Sequence, residues 1–130
     1  MVTSRSTTYG GLAPREHNIP PIVDTWGTAS ITGALDRELI RQVVRQHASQ
    51  MRYCYERALT GNPGLMGKVV PRFTIGAEGH VTAVEVAEDT LGVPEATQCM
   101  MRAVRSWVFP RPKGGGVVVV SYPFGFRQAG

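Results

Sequence analysis

The stretch from Gly67 to Asp89, GKVVPRFTIGAEGHVTAVEVAED, decides the fold. Apolar residues alternate along Gly67–Ile75, which predicts a β-strand with one buried face. Gly76–Gly79 has the composition of a turn, and His80–Asp89 returns as a second β-prone run, so the stretch predicts a β-hairpin. The period of two slips within the second run, which predicts a β-bulge near Thr82-Ala83.

Helical patterns flank the hairpin on both sides. From Asp36 to Gly61, apolar residues recur at i, i+3, i+4 and i+7, which predicts one long amphipathic helix. Its first residue suits the N-cap position, its last suits the C′ position, and Pro63 cannot continue it. A second, shorter helix is predicted from Pro94 to Trp107, and Val117–Phe124 is predicted to be a third strand.

The element order helix, strand, strand, helix, strand predicts an α+β fold. Two helices are expected on one face of a three-stranded antiparallel sheet. Proline lacks a backbone donor and is largely excluded from central strands. Because Pro71 lies in the first strand and Pro123 near the end of the third, we expect the order 1-2-3, with the second strand central and the third at an edge.

The N-terminal segment has a different composition. Residues 1–28 are rich in Gly, Pro and polar residues, so we interpret them as a linker or tether, with the domain occupying residues 29–130. Ile22, Val23 and Trp26 are the residues able to fold back onto the domain. No window approaches the ~20 apolar residues of a membrane span, and the N-terminus has no apolar core of a signal peptide.

Fourteen Lys and Arg against ten Asp and Glu give a net charge of +4. This mild basicity permits an anionic partner without selecting one. Four arginines follow the outer face of the long predicted helix and form a candidate face for an anionic polymer: Arg37, Arg41, Arg45 and Arg52. The alternative is an ordinary solvated helix face. Aromatic residues are not interleaved with these cations, so nucleic acid is not expected as a partner.

The two cysteines, Cys54 and Cys99, lie on the apolar stripes of the two predicted helices. If both helices cover one sheet face, the thiols meet in a shared core, so we predict a disulfide. It closes a loop of about 46 residues and stabilises the fold by roughly 4 kcal/mol. Such a bond implies an oxidising compartment, which is the periplasm in a bacterium. The alternative is two inert, buried thiols in a reducing compartment.

No pattern of a catalytic or cofactor site is present. His47 shares a helix face with Cys54, but no CxxC pair accompanies it, so no metal site is expected. The glycine spacing before Lys68 does not match a phosphate loop, Gly114–Gly116 leads into a strand, and no nucleophile elbow occurs. We therefore expect a non-enzymatic protein without cofactors.

The last predicted strand is strongly β-prone, and an exposed edge of this kind is an aggregation hazard unless it is paired. One explanation is that it accepts a strand from a partner protein through main-chain hydrogen bonds. The candidate binding residues are Val117, Val118, Val119, Val120, Ser121, Tyr122 and Phe124. The alternative is that Ile31, Ile22-Val23 or a second copy of the chain covers the edge. A monomer or a weak dimer is therefore expected.

Taken in order, these motifs resemble a known family. Phe73-x-Ile75-x-x-x-Gly79-x-Val81, then Ala103-Val104-x-x-Trp107-x-Phe109-Pro110 and a closing strand, resemble the TonB C-terminal domain. Further motifs are similar to the AgmX/PglI-type C-terminal domain, a TonB-like domain of gliding-motility proteins. They are Tyr53-Cys54-Tyr55-Glu56, Asn62-Pro63-x-Leu65-x-Gly67, Cys99 and Gly114-Gly-Gly-Val-x-Val-x-Tyr122-Pro123-Phe124. The resemblance covers residues from about Ile31 to Phe126.

The resemblance implies a non-catalytic periplasmic domain of a longer protein anchored in the inner membrane. Such domains transmit motion from a proton-driven motor to outer-membrane or cell-wall partners, here in gliding motility. TonB relatives pair a partner's strand with their last strand, which corresponds to Val117–Phe124. A TonB-type energy transducer for nutrient transporters and a peptidoglycan-binding module remain the alternative functions.

Overall fold

A computed structural model describes residues 27–128 and the backbone of Ile22–Thr25. Most of the predicted linker, residues 1–28, falls outside this part of the chain, as do Trp26 and the side chains of Ile22 and Val23. The α-helices are α1 (Arg37–Gln46), α2 (Ala48–Gly61) and α3 (Pro94–Arg105). The strands are β1 (Ile22–Thr25), β2 (Ser30–Thr32), β3 (Gly67–Ile75), β4 (Val81–Asp89), β5 (Val118–Ser121) and β6 (Phe124–Arg127).

Strand β3 lies in the middle of one antiparallel sheet. Strand β4 pairs along one side of β3, and β5 and β6 pair in succession along the other side. The register is unbroken from Ile75↔Val118 to Gly67↔Phe126, so β5 and β6 act as one strand interrupted at Tyr122-Pro123. Strands β2 and β1 pair with the outer sides of β5 and β6. The predicted α+β class with an antiparallel sheet is confirmed.

The predicted strand order 1-2-3 is wrong, because the first strand of the hairpin, β3, is central and the second, β4, lies at an edge. Pro71 is accommodated in β3 by two features. Its carbonyl accepts a hydrogen bond from the Tyr122 N–H (3.1 Å), so its missing donor is directed at the interruption between β5 and β6. On the other side, the β3–β4 register shifts between Val70 and Pro71, and bulges are where sheets tolerate proline.

The hairpin itself forms as predicted. The N–H of Gly76 donates to the His80 carbonyl (2.8 Å), and the N–H of Gly79 donates to the Gly76 carbonyl (2.9 Å). Thr74 pairs with Ala83 whereas Ile75 pairs with Val81, which leaves one extra residue in β4. The β-bulge predicted near Thr82-Ala83 is therefore confirmed.

The long helix predicted from Asp36 to Gly61 is divided into α1 and α2 at His47. In an uninterrupted helix, the His47 N–H would donate to the Val43 carbonyl. Here the ring Nδ1 lies 2.9 Å from that carbonyl oxygen, and the backbone N–H donates to the Val44 carbonyl instead (3.1 Å). The His47 ring therefore takes the place of the His47 backbone N–H at the Val43 carbonyl. The helix is interrupted there, although neither Gly nor Pro is present.

The core lies between one face of the sheet and the helices. Along β3, alternate residues from Gly67 to Ile75 are buried, whereas the residues between them are half-buried or exposed. Helices α2 and α3 bury Met51, Tyr55, Met100 and Val104 in the same hydrophobic cluster. The opposite face of the sheet carries polar pairs instead, such as Arg72 with Glu85 at 3.2 Å. This one-sided burial is usual for an antiparallel sheet.

Candidate functional site

The predicted binding strand is not an exposed edge. Val118, Val120, Tyr122 and Phe124 are buried in the core, and Val117, at 60% exposure, precedes the strand. Strand β5 pairs with β3 on one side and with β2 on the other. The prediction that the third strand lies at an edge is therefore wrong. The alternative considered from the sequence is observed instead, because the N-terminal segment covers this strand.

The cover consists of two short strands. In β2, Ser30, Ile31 and Thr32 pair with Ser121, Val120 and Val119. In β1, four residues pair with β6, beginning at Ile22↔Arg127 and ending at Thr25↔Phe124. We call Ile22–Thr32 the cover segment. It holds the outer side of β5 and β6 by backbone pairing.

In an antiparallel sheet, the N–H and C=O of one residue point to the same neighbouring strand, and those of the next residue point to the strand on the opposite side. Because the Tyr122 N–H donates to β3, the N–H and C=O groups of Val119 and Ser121 point toward the cover segment. Their partners there are Thr32 and Ser30. These are the main-chain groups that an incoming strand would use.

Arg37 ties the cover segment to the helices. Its Nη1 donates to the Ala29 carbonyl at 2.7 Å, eight residues back along the chain. Arg37, Arg41 and Tyr122 line a pocket of about 270 Å³ beside this contact, together with Gly27–Ala29, Ile31 and Ile40. The pocket therefore brings two of the predicted polymer-binding arginines next to the predicted binding strand.

The four arginines of the predicted polymer-binding face do not form one continuous stripe. Arg37, Arg41 and Arg45 lie on α1 and Arg52 lies on α2, with the helix break between them. Arg41 pairs with Glu38 at 2.8 Å, and this hydrogen bond and charge raise the pKa of Arg41. Within the described residues, the Nε of Arg52 is buried without a hydrogen-bond partner. Arg37, Arg41 and Arg45 are exposed, but Arg37 donates to the Ala29 carbonyl and Arg41 pairs with Glu38, whereas Arg52 is only half-exposed.

The predicted disulfide between Cys54 and Cys99 is present and joins α2 to α3, with a Cα–Cα distance of 5.7 Å. Cys54 is buried, whereas Cys99 is partly exposed. A depression lies on each side of the bond, so the disulfide forms the floor of a groove between the two helices.

Several residues of the family-like motifs have structural roles. The Tyr55 hydroxyl donates to the Leu65 carbonyl, and burial raises the pKa of Tyr55. The Trp107 indole N–H donates to the Gln50 side chain at 2.8 Å. Trp107 also contacts the rings of Phe73 and His47. The motifs therefore mark the packing of the helices on the sheet.

Sequence reasoning did not identify Arg57 and Arg102, which line the groove above the disulfide. The signal was present, because Arg57 follows Cys54 by three residues and Arg102 follows Cys99 by three. On a helix, this spacing places each arginine beside its cysteine. The relation becomes useful only when the two cysteines are known to be joined.

Within residues 27–128, no three His, Cys, Asp or Glu side chains are grouped so that they could hold a metal ion. The same part of the chain contains no helix long and apolar enough to cross a membrane. Comparison of the chain with protein-family models, curated proteins and solved structures gives no match.

Proposed function

We propose that this domain is a non-enzymatic adaptor of a bacterial cell-envelope machinery that binds an extended segment of a partner protein along β5 and β6. The observation that carries the proposal is the backbone pairing of Ile22–Thr32 along this side of the sheet. The surface accepts strands in the antiparallel direction, and its present occupant is a short segment of the same chain, which also contributes Ala29 to the hydrophobic core.

Exchange of the occupant is energetically reasonable. Each ladder hydrogen bond contributes about 0.5–1.5 kcal/mol net, and an incoming strand would replace these bonds one for one. The occupant β2 provides only three residue pairs, and Ser30 and Thr32 are exposed. Two segments compete for the same main-chain groups, so the partner's side chains and effective concentration decide which one binds.

The cellular setting is part of the proposal. A disulfide persists in an oxidising compartment, which supports the periplasm as the location. The resemblance to TonB-type domains supports attachment to a longer, inner-membrane-anchored chain that carries force from a proton-driven motor to outer-membrane or cell-wall partners. Gliding motility is the proposed process. A transducer for nutrient transporters would use the same strand, and the identity of a cross-linked partner separates the two.

The test is the variant Thr32→Pro, which removes the N–H that points at Val119 and so releases β2. We expect amide hydrogen exchange at Val119 and Ser121 to rise about tenfold or more, since each loses a local partner. A synthetic peptide of residues 20–33, added in trans, should bind this variant more tightly than the wild type. Wild type already holds that segment at the millimolar effective concentration of a short tether.

The matched control is Thr32→Val, which keeps the backbone donor and the β-branched shape. It should exchange and bind as wild type does. If Thr32→Pro is folded by circular dichroism, yet neither its amide exchange nor its affinity for the peptide changes, strand capture at β5 is wrong.

A further inference from the structure

The groove between α2 and α3 is a second feature of the molecule, separate from the covered strand. The two helices run antiparallel across it, because residues 49–53 of α2 lie opposite residues 103–106 of α3, and residues 57–61 lie opposite 93–98. Two depressions of about 440 and 400 Å³ flank the disulfide and share Cys54, Cys99 and Arg102. The groove spans α2 from Ser49 to Gly61, which is about 18 Å at 1.5 Å per residue.

The charged groups that line the groove are Arg57 from α2 and Arg102 and Glu95 from α3. Arg102 makes no ion pair within the described residues, and Arg57 lies over the ring of Tyr53 at 5.7 Å. Glu95 lies at the Arg57 end of the groove, because residues 57–61 of α2 are opposite residues 93–98 of α3, whereas Arg102 lines both depressions beside the disulfide. Two arginines against one carboxylate leave the lining of the groove with a net positive charge.

The chain's own segments are poor candidates for this groove. Residues 1–21 carry Arg5 and Arg15 but only one carboxylate, Glu16, so their net positive charge does not complement the arginines of the groove. A second copy also carries a net charge of +4. The occupant that complements the groove is an acidic segment of another protein.

The shape of the groove favours a helix. Ala58 and Ala96 line one depression and Ala103 and Ser106 the other, so small side chains leave room on both walls. Gln50 in one depression and Ala58 in the other are eight residues apart, about 12 Å along α2. Side chains seven or eight residues apart on a bound helix have the same separation, as in helix-in-groove recognition.

We infer that the α2–α3 groove binds an acidic amphipathic helix of a partner protein, with its carboxylates at Arg57 and Arg102 and its apolar residues in the two depressions beside the Cys54–Cys99 disulfide. The exposed ring of Tyr53, at 58%, extends the contact surface at one end. This site is independent of strand exchange at β5, so either proposal can fail without the other.

The test uses a stapled helical peptide with two glutamates seven residues apart on an apolar face, and a twin in which both are glutamine. Binding is measured by fluorescence anisotropy with the intact protein. We expect the Glu peptide to bind about tenfold more tightly than its twin. Affinity should fall when salt is raised from about 0.1 M to 1 M, where the Debye length shortens from about 10 Å to 3 Å.

The groove variant is Arg57→Glu with Arg102→Glu, and we expect it to lose about tenfold or more in affinity for the Glu peptide. Arg57→Gln with Arg102→Gln should lose less, because it removes attraction without adding repulsion. The matched control is Arg105→Glu with Lys113→Glu, which makes the same change in net charge at exposed positions outside the groove. It should bind nearly as wild type does.

Three outcomes would overturn the inference: equal binding of the Glu and Gln peptides, an equal loss in the control variant, or no saturable binding. Cell-wall sacculi provide a further arm. If sacculi bind the wild type, lose binding in the groove variant, and the peptide does not bind, the groove recognises an anionic glycan and the helix assignment is wrong.

Discussion

At the residue scale, Gly79 shows how a motif glycine can serve the fold. It closes the hairpin turn with φ of +94°, and its carbonyl accepts a hydrogen bond from the Phe109 N–H at 2.9 Å. A Cβ built at this position would lie 2.1 Å from the Phe109 carbonyl oxygen. Glycine is thus required both by the backbone conformation and by the crossing chain, which anchors the segment after α3 on the hairpin.

We predict that Gly79→Ala lowers the free energy of unfolding by about 3 kcal/mol or more, because steric overlap with the backbone adds to the strain of a positive φ. Urea unfolding measures the loss. The matched control is Gly114→Ala, which has φ of +75° but open space around its Cβ, so we expect a loss of about 1 kcal/mol. Equal losses at the two positions would show that the contact with Phe109 has no role.

At the scale of elements, the disulfide fixes how α2 and α3 lie on the sheet. It joins residues 45 apart in sequence, and each helix also packs its own apolar face against β3 and its neighbours. Thr97 adds a second attachment, because its buried hydroxyl donates to the Asp89 carboxylate at 2.6 Å at the end of β4. The walls of the α2–α3 groove are therefore held in place before any partner binds, which reduces the ordering cost of binding.

We predict that reduction of the disulfide lowers the free energy of unfolding by about 4 kcal/mol, the chain-entropy value for a loop of this length. The measurement is urea unfolding with and without a phosphine reductant. Cys54→Ala with Cys99→Ala serves as the control, because its stability should not respond to the reductant. Two free thiols in unreduced, unfolded protein would contradict the disulfide.

At the scale of the whole molecule, the chain covers one side of its own sheet with the short strands β1 and β2. The strongly β-prone strand Val118–Ser121 is paired on both sides, and β1 protects Phe124–Arg127 in the same way. The edges that β1 and β2 present are only four and three residues long, and very short edge strands offer little for edge-to-edge association. This arrangement also places the proposed binding surface under the control of a short, replaceable segment.

We predict that a variant lacking residues 1–26 forms dimers, because removal of β1 leaves the outer side of β6 unpaired. Light scattering after size-exclusion chromatography, over a concentration series, measures the mass. A variant lacking residues 1–20 keeps β1 and should remain monomeric under the same conditions. If the shorter chain is folded and monomeric throughout, pairing by β1 does not restrain self-association.

Local signals in the sequence correctly indicated the hairpin, the bulge and the second helix, because each depends on residues close together in the chain. The disulfide was also predicted correctly, since both cysteines lie on apolar stripes that cover one sheet face, although two unpaired thiols had remained the alternative. The long helix was wrongly predicted to be continuous, because His47 carries no local breaker signal. Its side chain competes for a carbonyl, and only the folded backbone shows that competition.

The sequence by itself determined the α+β class, the pairing of Cys54 with Cys99 and the β-prone character of the last strand. Tertiary structure alone decided the strand order, because the tolerance of Pro71 depends on where the neighbouring strand is interrupted. It also decided that Ile22–Thr32 covers β5 and β6, and that Arg57 and Arg102 share a groove. Backbone pairing between distant segments depends on which edge is left open, and composition does not encode that choice.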